Sequence, residues 1–494
     1  MLLLYVFLFF PLLTFFVYYN SITSIEAQFA NTSKLLQFEE KGIMTENVTD
    51  TGLLTNLLIE LKSPYNTTAI LNDTASSLIK RIEETNVLNA TATILDDLSI
   101  ISIDYSPNPN YENILASPPT LEETTEFLID IVNEDPRVNN TEVEEIYSAQ
   151  YETAQVDNSS MILIRQANFS QIIPTGIDRI DSDVTNKKIT DLFNDTAVDV
   201  DIAILDSGIN PHPDLTLLLD KQVYFTGNDV SDNCGHGTHV AGIAAAKNND
   251  FGVMGTAPGA RVWNVKVLEL KSNGECLANK TSILNGLNYV LQHANEIEVV
   301  NLSLGGYCDP STRNFCNSEA LEKKIDRLIE KGVVVVVAAG NGIHDVGIDA
   351  KDWKPAKIAP AITVSNFVDS DGKCGRLGNA TYRGLDDSLA SNSNYGAPID
   401  ISAPGINVLS TSKDNGYVFY SGTSMASPHV AGAAALYKAL NPNATVTDII
   451  DVLESTGIQN FNIQCVEDSF GYIKGGDKDS DPEPLIHMKR LVDN

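Results

Sequence analysis

The stretch KGVVVVVAAGN, residues 331–341, leaves a chain few ways to fold. Five consecutive β-branched residues, Val333 to Val337, favour a strand, and a strand apolar at every position must be covered on both faces. The same texture recurs in VDVDIAILDSG, RVWNVKVLEL, EVVNLSLGG, AITVSNF and IDISAPG. Helical patterns lie between them: HGTHVAGIAAA, SILNGLNYVLQHA, SEALEKKIDRLIEKG and MASPHVAGAAALYKAL. This alternation predicts an α/β domain over 170–494, three layers (α/β/α) around a largely parallel sheet. In such sheets chemistry collects at the carboxyl ends of the strands and at the helix starts beside them.

The chain ahead of Ser170 reads differently. Short amphipathic segments such as TNLLIELK and ASSLIKRIEE are expected as helices. After the linker-like SPNPNYENILASPPT, LEETTEFLIDIVNEDPRV is expected as a helix with Thr120 as N-cap and an end before Pro136. The region holds no constellation of reactive residues, so it is expected as a separate accessory or regulatory domain, α+β or mostly helical. It is also acidic: 23 Asp and Glu against 7 Lys and Arg over 28–169 supply half of the formal charge of −32. That charge argues against a nucleic-acid partner, because two polyanions repel.

Residues 1–27, opening MLLLYVFLFFPLLTFFVYY, read as an export signal with Ala27 as the cleavage point. No Lys or Arg precedes Lys34, which leaves an uncleaved membrane anchor as the alternative. Thirteen Asn-x-Ser/Thr sequons, eight of them before Ser170, fit a glycosylated exported protein, although Asn301 in VVNLSLGG is expected on a buried strand. Six cysteines show neither paired CxxC spacing nor a Cys/His pattern, so zinc is not expected and disulfides are. Cys308 and Cys316 are eight positions apart, so a local bridge is expected there.

Four residues stand where the chemistry of such a sheet should collect. Asp206 ends the strand DIAIL, His236 sits in GHGTHVAG, Asn341 follows VVVVVAAG, and Ser424 opens the helix MASPHVAGAAALYKAL. A serine hydroxyl needs a base, an orienting acid and an oxyanion site before it acts as a nucleophile. His236 supplies the base, Asp206 the acid, and the Asn341 amide with the Ser424 N–H the oxyanion donors, the second being an unpaired donor of its helix start. Any one of them alone is more often a cap or turn residue. Of the remaining histidines, His212, His239 and His429 are expected to be structural, and His344 to line the pocket mouth.

DSGINPHPDL, GHGTHVAG, NLSLGG, VVVVVAAGN and SGTSMASPHVAGAAAL resemble, in order, the hallmark segments of the subtilisin family of serine endopeptidases. The resemblance covers the chain from about Ser170 on and implies a catalytic triad of Asp206, His236 and Ser424 with Asn341 in the oxyanion hole; none of the four is substituted. It implies protein or peptide substrates, held on the strand edge Ser303, Leu304 and Gly305, with Ala338, Ala339 and Gly340 walling a primary pocket roomy enough for a bulky apolar side chain. It further implies structural calcium on Gln171, Asp214, Lys247, Asn249, Phe251 and Val253. The Gln171 match puts the start of the mature enzyme near Phe169–Ser170, making 28–169 a propeptide and intramolecular inhibitor. No dibasic pair marks that junction, which favours self-cleavage. In the family the regions of Cys234 and Cys276 adjoin across the substrate groove, which implies that pair as a disulfide; Cys374 and Cys465 remain by elimination. The expected molecule is a secreted, monomeric, self-processing zymogen without organic cofactor. The alternatives are a cell-surface enzyme, an esterase or peptide ligase using the same acyl-enzyme, and a non-catalytic surface binding protein on the same fold.

Overall fold

The computed structural model describes residues 56–63, 67–85, 88–95, 99–107, 121–143, 145–153, 170–183, 185, 199–308, 319–346, 352–458 and 483–493. Its centre is a nine-stranded sheet. From one edge the strands run Ser388–Leu389, Ile362–Val368, Val334–Ala338, Val299–Leu302, Asp201–Asp206, Arg261–Lys266 and Thr216–Leu217. Ile401–Pro404 and Val223–Tyr224 pair with the second and sixth of these. All pairings are parallel except that of the two-residue edge strand Ser388–Leu389.

The valine run is why. Each residue of Val334–Ala338 is buried, and successive side chains enter opposite layers. Val334 and Val336 join Ile202 and Ile204 beneath the helices His236–Ala245 and Thr423–Leu440. Val335 and Val337 join Ala203 and Leu205 beneath Lys280–Gln292 and Glu319–Glu330. A strand serving two apolar layers has no polar face, so the expected three-layer α/β/α arrangement is found.

The front region is α+β. Strand, helix, strand, strand, helix and strand (Asn56–Leu61, Thr68–Glu84, Leu88–Leu95, Ile100–Pro107, Leu121–Asn133, Val138–Val143) form an antiparallel sheet with the β-α-β-β-α-β connectivity. Two helices occur as expected, and Leu121–Asn133 ends before Pro136; its N-cap lies outside the described residues. TNLLIELK, expected as a helix, is the central strand Asn56–Leu61. Leu57, Ile59 and Leu61 pack on the region's own helices, while Leu58 faces the catalytic side with Leu95 and Ile100. Burial on both faces erased the alternation that would have marked the strand.

The front region docks on the helices Lys280–Gln292 and Glu319–Glu330. Lys280 Nζ, fully buried, lies 3.2 Å from Glu142 Oε2 and 3.5 Å from Glu145 Oε2. Burial raises the Glu142 carboxyl above its ordinary value despite that cation. Lys323 Nζ reaches Glu60 Oε1 at 2.7 Å. Residues 1–55 lie outside the described residues, and among those described no helix is long and apolar enough to cross a membrane.

Candidate active site

Asp206 closes its strand at the carboxyl edge of the sheet and is buried. Its Oδ1 accepts hydrogen bonds from the Ser207 N–H and from His236 Nδ1, each at 2.7 Å. A carboxylate only accepts, so Nδ1 carries the proton that faces Asp206 and Nε2 is the ring nitrogen turned away from it. That Nε2 is buried with no hydrogen-bond partner among the described residues. His236 starts its helix after Gly235, whose φ of +88° is left-handed backbone open to glycine.

A residue missed in the sequence holds this corner. Asp232 accepts from Ser207 Oγ at 2.7 Å, the Gly235 N–H at 2.7 Å, the Thr238 N–H at 2.9 Å and Thr238 Oγ1 at 2.7 Å. It caps the His236 helix from outside and ties it to the residue after Asp206. The signal was an aspartate just ahead of an expected helix start.

Ser424 is the second residue of the helix Thr423–Leu440 and is buried. Its hydroxyl donates to the Ser303 carbonyl at 2.8 Å and accepts from the Gln150 N–H at 2.9 Å, while its own N–H donates to the Gln150 carbonyl at 3.2 Å. The Thr423 N–H donates to Asn341 Oδ1 at 3.0 Å, which fixes the Asn341 amide. A Cβ on Gly422 (φ +146°) would stand 2.3 Å from the Gln150 oxygen and 2.9 Å from Asn341 Nδ2, so only glycine lets these groups meet. Ser424 and Asn341 thus both bond to Gln150, Ser424 to its main chain and the Asn341 N–H to its side chain, while the Asp206–His236 pair meets the next residue through the Tyr151 ring.

Gln150 directly follows a strand of the front region, Ile146–Ala149, that lies in the groove. Ile146–Ala149 pairs antiparallel with Cys276–Asn279 on one side and with Leu304–Cys308 on the other, Leu304 facing Ala149 and Gly305 facing Ser148. Ser303 bonds through Oγ to the Ser424 carbonyl at 2.9 Å. The Gln150 side chain donates to the Gly305 carbonyl at 2.9 Å and accepts from the Asn341 N–H at 3.3 Å. The Gln150 side chain thus bridges the Gly305 carbonyl and the residue that follows Gly340. Ala338 and Ala339 are buried at the end of their strand, and Gly340 and Gly342 leave room for Trp353, which the sequence did not single out. His344 lies beside Trp353, with ring centroids 5.5 Å apart.

The family model described as the subtilase family (Peptidase_S8) matches residues 198–472. The chain belongs to the subtilase family. It is a subtilisin-like serine endopeptidase. Subtilisin E of Bacillus subtilis (strain 168) is 36% identical over 309 residues, 62% of this chain and 70% of that protein. Subtilisin of Bacillus pumilus is 36% identical over 289 residues, 58% of this chain and 92% of that one. Subtilisin Savinase of Lederbergia lenta is 37% identical over 287 residues, with coverage of 58% and 92%.

In this subtilase the six residues expected around calcium lie together. Gln171 Nε2 donates to the Lys247 carbonyl at 2.8 Å and reaches that of Val253 at 3.5 Å. Asp214 accepts from Asn249 Nδ2 and the Val253 N–H, each at 2.9 Å, and from Tyr417 Oη at 3.2 Å; the Phe251 N–H donates to Asn249 Oδ1 at 3.0 Å. Carboxylate, carboxamides and main-chain carbonyls are the oxygen donors calcium takes, so the residues fit the ion. The Gln171 amide offers its oxygen once its two ends are exchanged, an assignment made from hydrogen-bond partners. A second carboxylate group, Asp369, Asp371 and Asp386, has oxygens within 4.8 Å of one another.

His212, His239 and His429 of this subtilase each bond to a main-chain carbonyl. His239 Nε2 meets the carbonyls of Val408 and Val418, His429 Nδ1 that of Met425, and His212 Nε2 that of Gly416. Burial lowers these rings to about 3, about 4 and about 4. Cys234 and Cys276 form a disulfide with Cα atoms 6.2 Å apart, and Cys374 is disulfide-bonded as well. The proposed Cys308–Cys316 bridge and Cys465 fall outside the side chains described. Asn301 is buried and bonded to Ser303 and Ser427, which leaves no room for sugar.

Proposed function

We propose that this endopeptidase works through Asp206, His236 and Ser424, with Asn341 and the Ser424 N–H as oxyanion donors, and that its first substrate is its own Gln150–Tyr151 bond. The observation that carries this reading is the Gln150 main chain against Ser424, N–H to Oγ at 2.9 Å and carbonyl to N–H at 3.2 Å. Ser424 Oγ leaves the Ser303 carbonyl, passes its proton to His236 Nε2 and bonds to the Gln150 carbonyl carbon. The tetrahedral oxyanion is held by the Ser424 N–H and Asn341 Nδ2. Collapse breaks the bond to the Tyr151 nitrogen, which takes the proton from His236, and water then releases the acyl group by the reverse sequence. Asp206 keeps the ring in the Nδ1–H form and stabilises the imidazolium.

A cut at Gln150–Tyr151 leaves 151–169 on the catalytic side, so a mature start at Ser170 requires a second, later cut. The front region up to Gln150 then stays as a product-like inhibitor, because its strand remains paired on both edges. We assign calcium to the Gln171, Asp214, Lys247, Asn249, Phe251 and Val253 cluster as a structural ion, holding the start of the catalytic domain to its loop. Residues 1–27 are assigned as an export signal and the product as a secreted monomer. None of the triad positions is substituted, which weighs against a binding-only role. Mass spectrometry of the expressed chain and of its Ser424→Ala variant tests the reading: a new amino terminus at Tyr151 in the first and none in the second is expected. Cleavage there in the alanine variant would sink it.

A further inference from the structure

Arg383 lies on a turn outside the triad, and none of the roles above uses it. We propose that Arg383 makes this endopeptidase select an acidic residue at the second position after the cut bond; the inference rests on the reading that Gln150–Tyr151 is the bond presented to Ser424. With Gln150 at the nucleophile, Tyr151 is the first residue beyond the bond and Glu152 the second. Tyr151 lies against the His236 ring, centroids 4.5 Å apart. Glu152–Thr153 then pairs antiparallel with Tyr417–Ser421, Glu152 opposite Ser421. Main-chain pairing fixes where the second side chain goes, whatever it is.

At that place Arg383 forms a fork. Nε donates to Glu152 Oε1 at 2.6 Å and Nη2 donates to Oε2, the two-pronged geometry that matches a carboxylate and that a lysine or an amide cannot reproduce. Both side chains are about one-third exposed, at 30% and 32%, so the pair is reachable by a peptide yet partly shielded from water. The arginine is held before any peptide arrives. Its N–H donates to Thr381 Oγ1 at 3.1 Å, its carbonyl accepts from the Ser391 N–H at 2.7 Å, and its guanidinium sits 5.2 Å from the Tyr382 ring centroid. Glu152 is its one ion-pair partner among the described residues. The second cut, which removes 151–169 and Glu152 with it, therefore leaves a positioned cation without that carboxylate, on a chain whose formal charge is −32. A general attraction for acidic peptides cannot come from that net charge, so a preference for acid has to be local.

The test uses the fully matured enzyme, starting at Ser170 and freed of the front region, and quenched peptides spanning residues 146–155, with Glu, Gln or Lys at the position of Glu152, the cut bond mapped by mass spectrometry. Expected is kcat/KM in the order Glu, Gln, Lys, with Glu over Gln on the order of 10-fold, as for a partly shielded bidentate pair, and shrinking with added salt. Arg383→Gln should bring the Glu-to-Gln ratio close to one. Arg383→Glu should reverse the Glu-to-Lys order, a gain that a misfolded protein could not show. Equal rates for all three peptides on the wild type, or a Glu preference kept in Arg383→Gln, overturns the inference while leaving the endopeptidase reading standing. Failure of the wild type to cut any of the peptides between the Gln and Tyr residues overturns both.

Discussion

The residues on the two sides of the Gln150–Tyr151 bond are held in different ways. Ahead of it, Ile146–Ala149 is a middle strand, paired to Cys276–Asn279 and Leu304–Cys308. Beyond it, Glu152–Thr153 pairs on one edge among the described residues, and side-chain contacts add Tyr151 on His236 and Tyr420, and Glu152 on Arg383. Main-chain pairing is blind to sequence, so the first side gives affinity to almost any extended peptide. The second side has less main chain to offer and gives selectivity instead. A self-cleaving inhibitor gains from this division, since cutting releases the weakly paired half and keeps the strongly paired one in place.

The largest predicted effect tests whether both halves are presented to a working nucleophile. Ser424→Ala should keep both halves bound and abolish cleavage, read as an intact chain on a denaturing gel. Asp206→Asn should fold normally, yet lower kcat by about 10⁴, because the ring then loses the partner that holds Nδ1–H. Turnover within tenfold of wild type in either variant would break the assignment.

What the sequence disclosed follows the same division. The strand ends that carry Asp206 and Asn341, and the helix starts at His236 and Ser424, were legible because each sits at the edge of a regular element whose pattern is local. The bonding of Gln150 to Ser424 was not, since the two are 274 residues apart and nothing local in SAQYET marks a scissile bond. Arg383 and Trp353 were missed for the same reason: each works by reaching from a turn or short strand to a distant element. Asp232 had a local cue that went unread. TNLLIELK failed in another way, its two-sided burial imitating a helix face.

Next in size is a change that acts on the first half alone. Cys276 lies on the outer groove strand, and its disulfide to Cys234 closes a loop 42 residues apart in sequence. Chain-entropy arguments give about 3–4 kcal/mol for a loop of that length. Cys234→Ser with Cys276→Ser should lower stability by about that much. It should also raise KM for peptides extended ahead of the cut more than for peptides extended beyond it. An equal rise for both would mean that the bridge supports the domain as a whole rather than that strand.

Glu142→Ala probes how the first half is anchored. It removes one carboxylate from the fully buried Lys280 and leaves Glu145 at 3.5 Å. Loss of one partner of a buried pair costs about 2–5 kcal/mol, and with a second acid still present the low end applies. The front region should then leave the cleaved enzyme on the order of 30-fold faster. The lag between self-cleavage and full activity reports this, and an unchanged lag would show that strand pairing alone sets release.

The smallest effect concerns two buried histidines, one on each of two neighbouring helices, that do different work. His236 needs a free Nε2, whereas His429, on the Ser424 helix, is buried neutral with Nδ1 on the Met425 carbonyl at 2.8 Å. Burial lowers its pKa from 6.5 to about 4. Unfolding returns the ring to its ordinary value, so between pH 6.5 and about 4 the unfolded chain binds a proton that the folded chain does not. Stability from this ring is therefore full above pH 6.5 and declines as the pH falls, by up to about 1.4 kcal/mol per pH unit. His429→Gln cannot take up that proton. Measured by denaturant unfolding in a Ser424→Ala background, which prevents self-digestion, its stability should fall less steeply over that window than that of the parent. Parallel pH profiles would show that the ring is already protonated in the folded protein, and would remove the physical ground for separating His429 from His236.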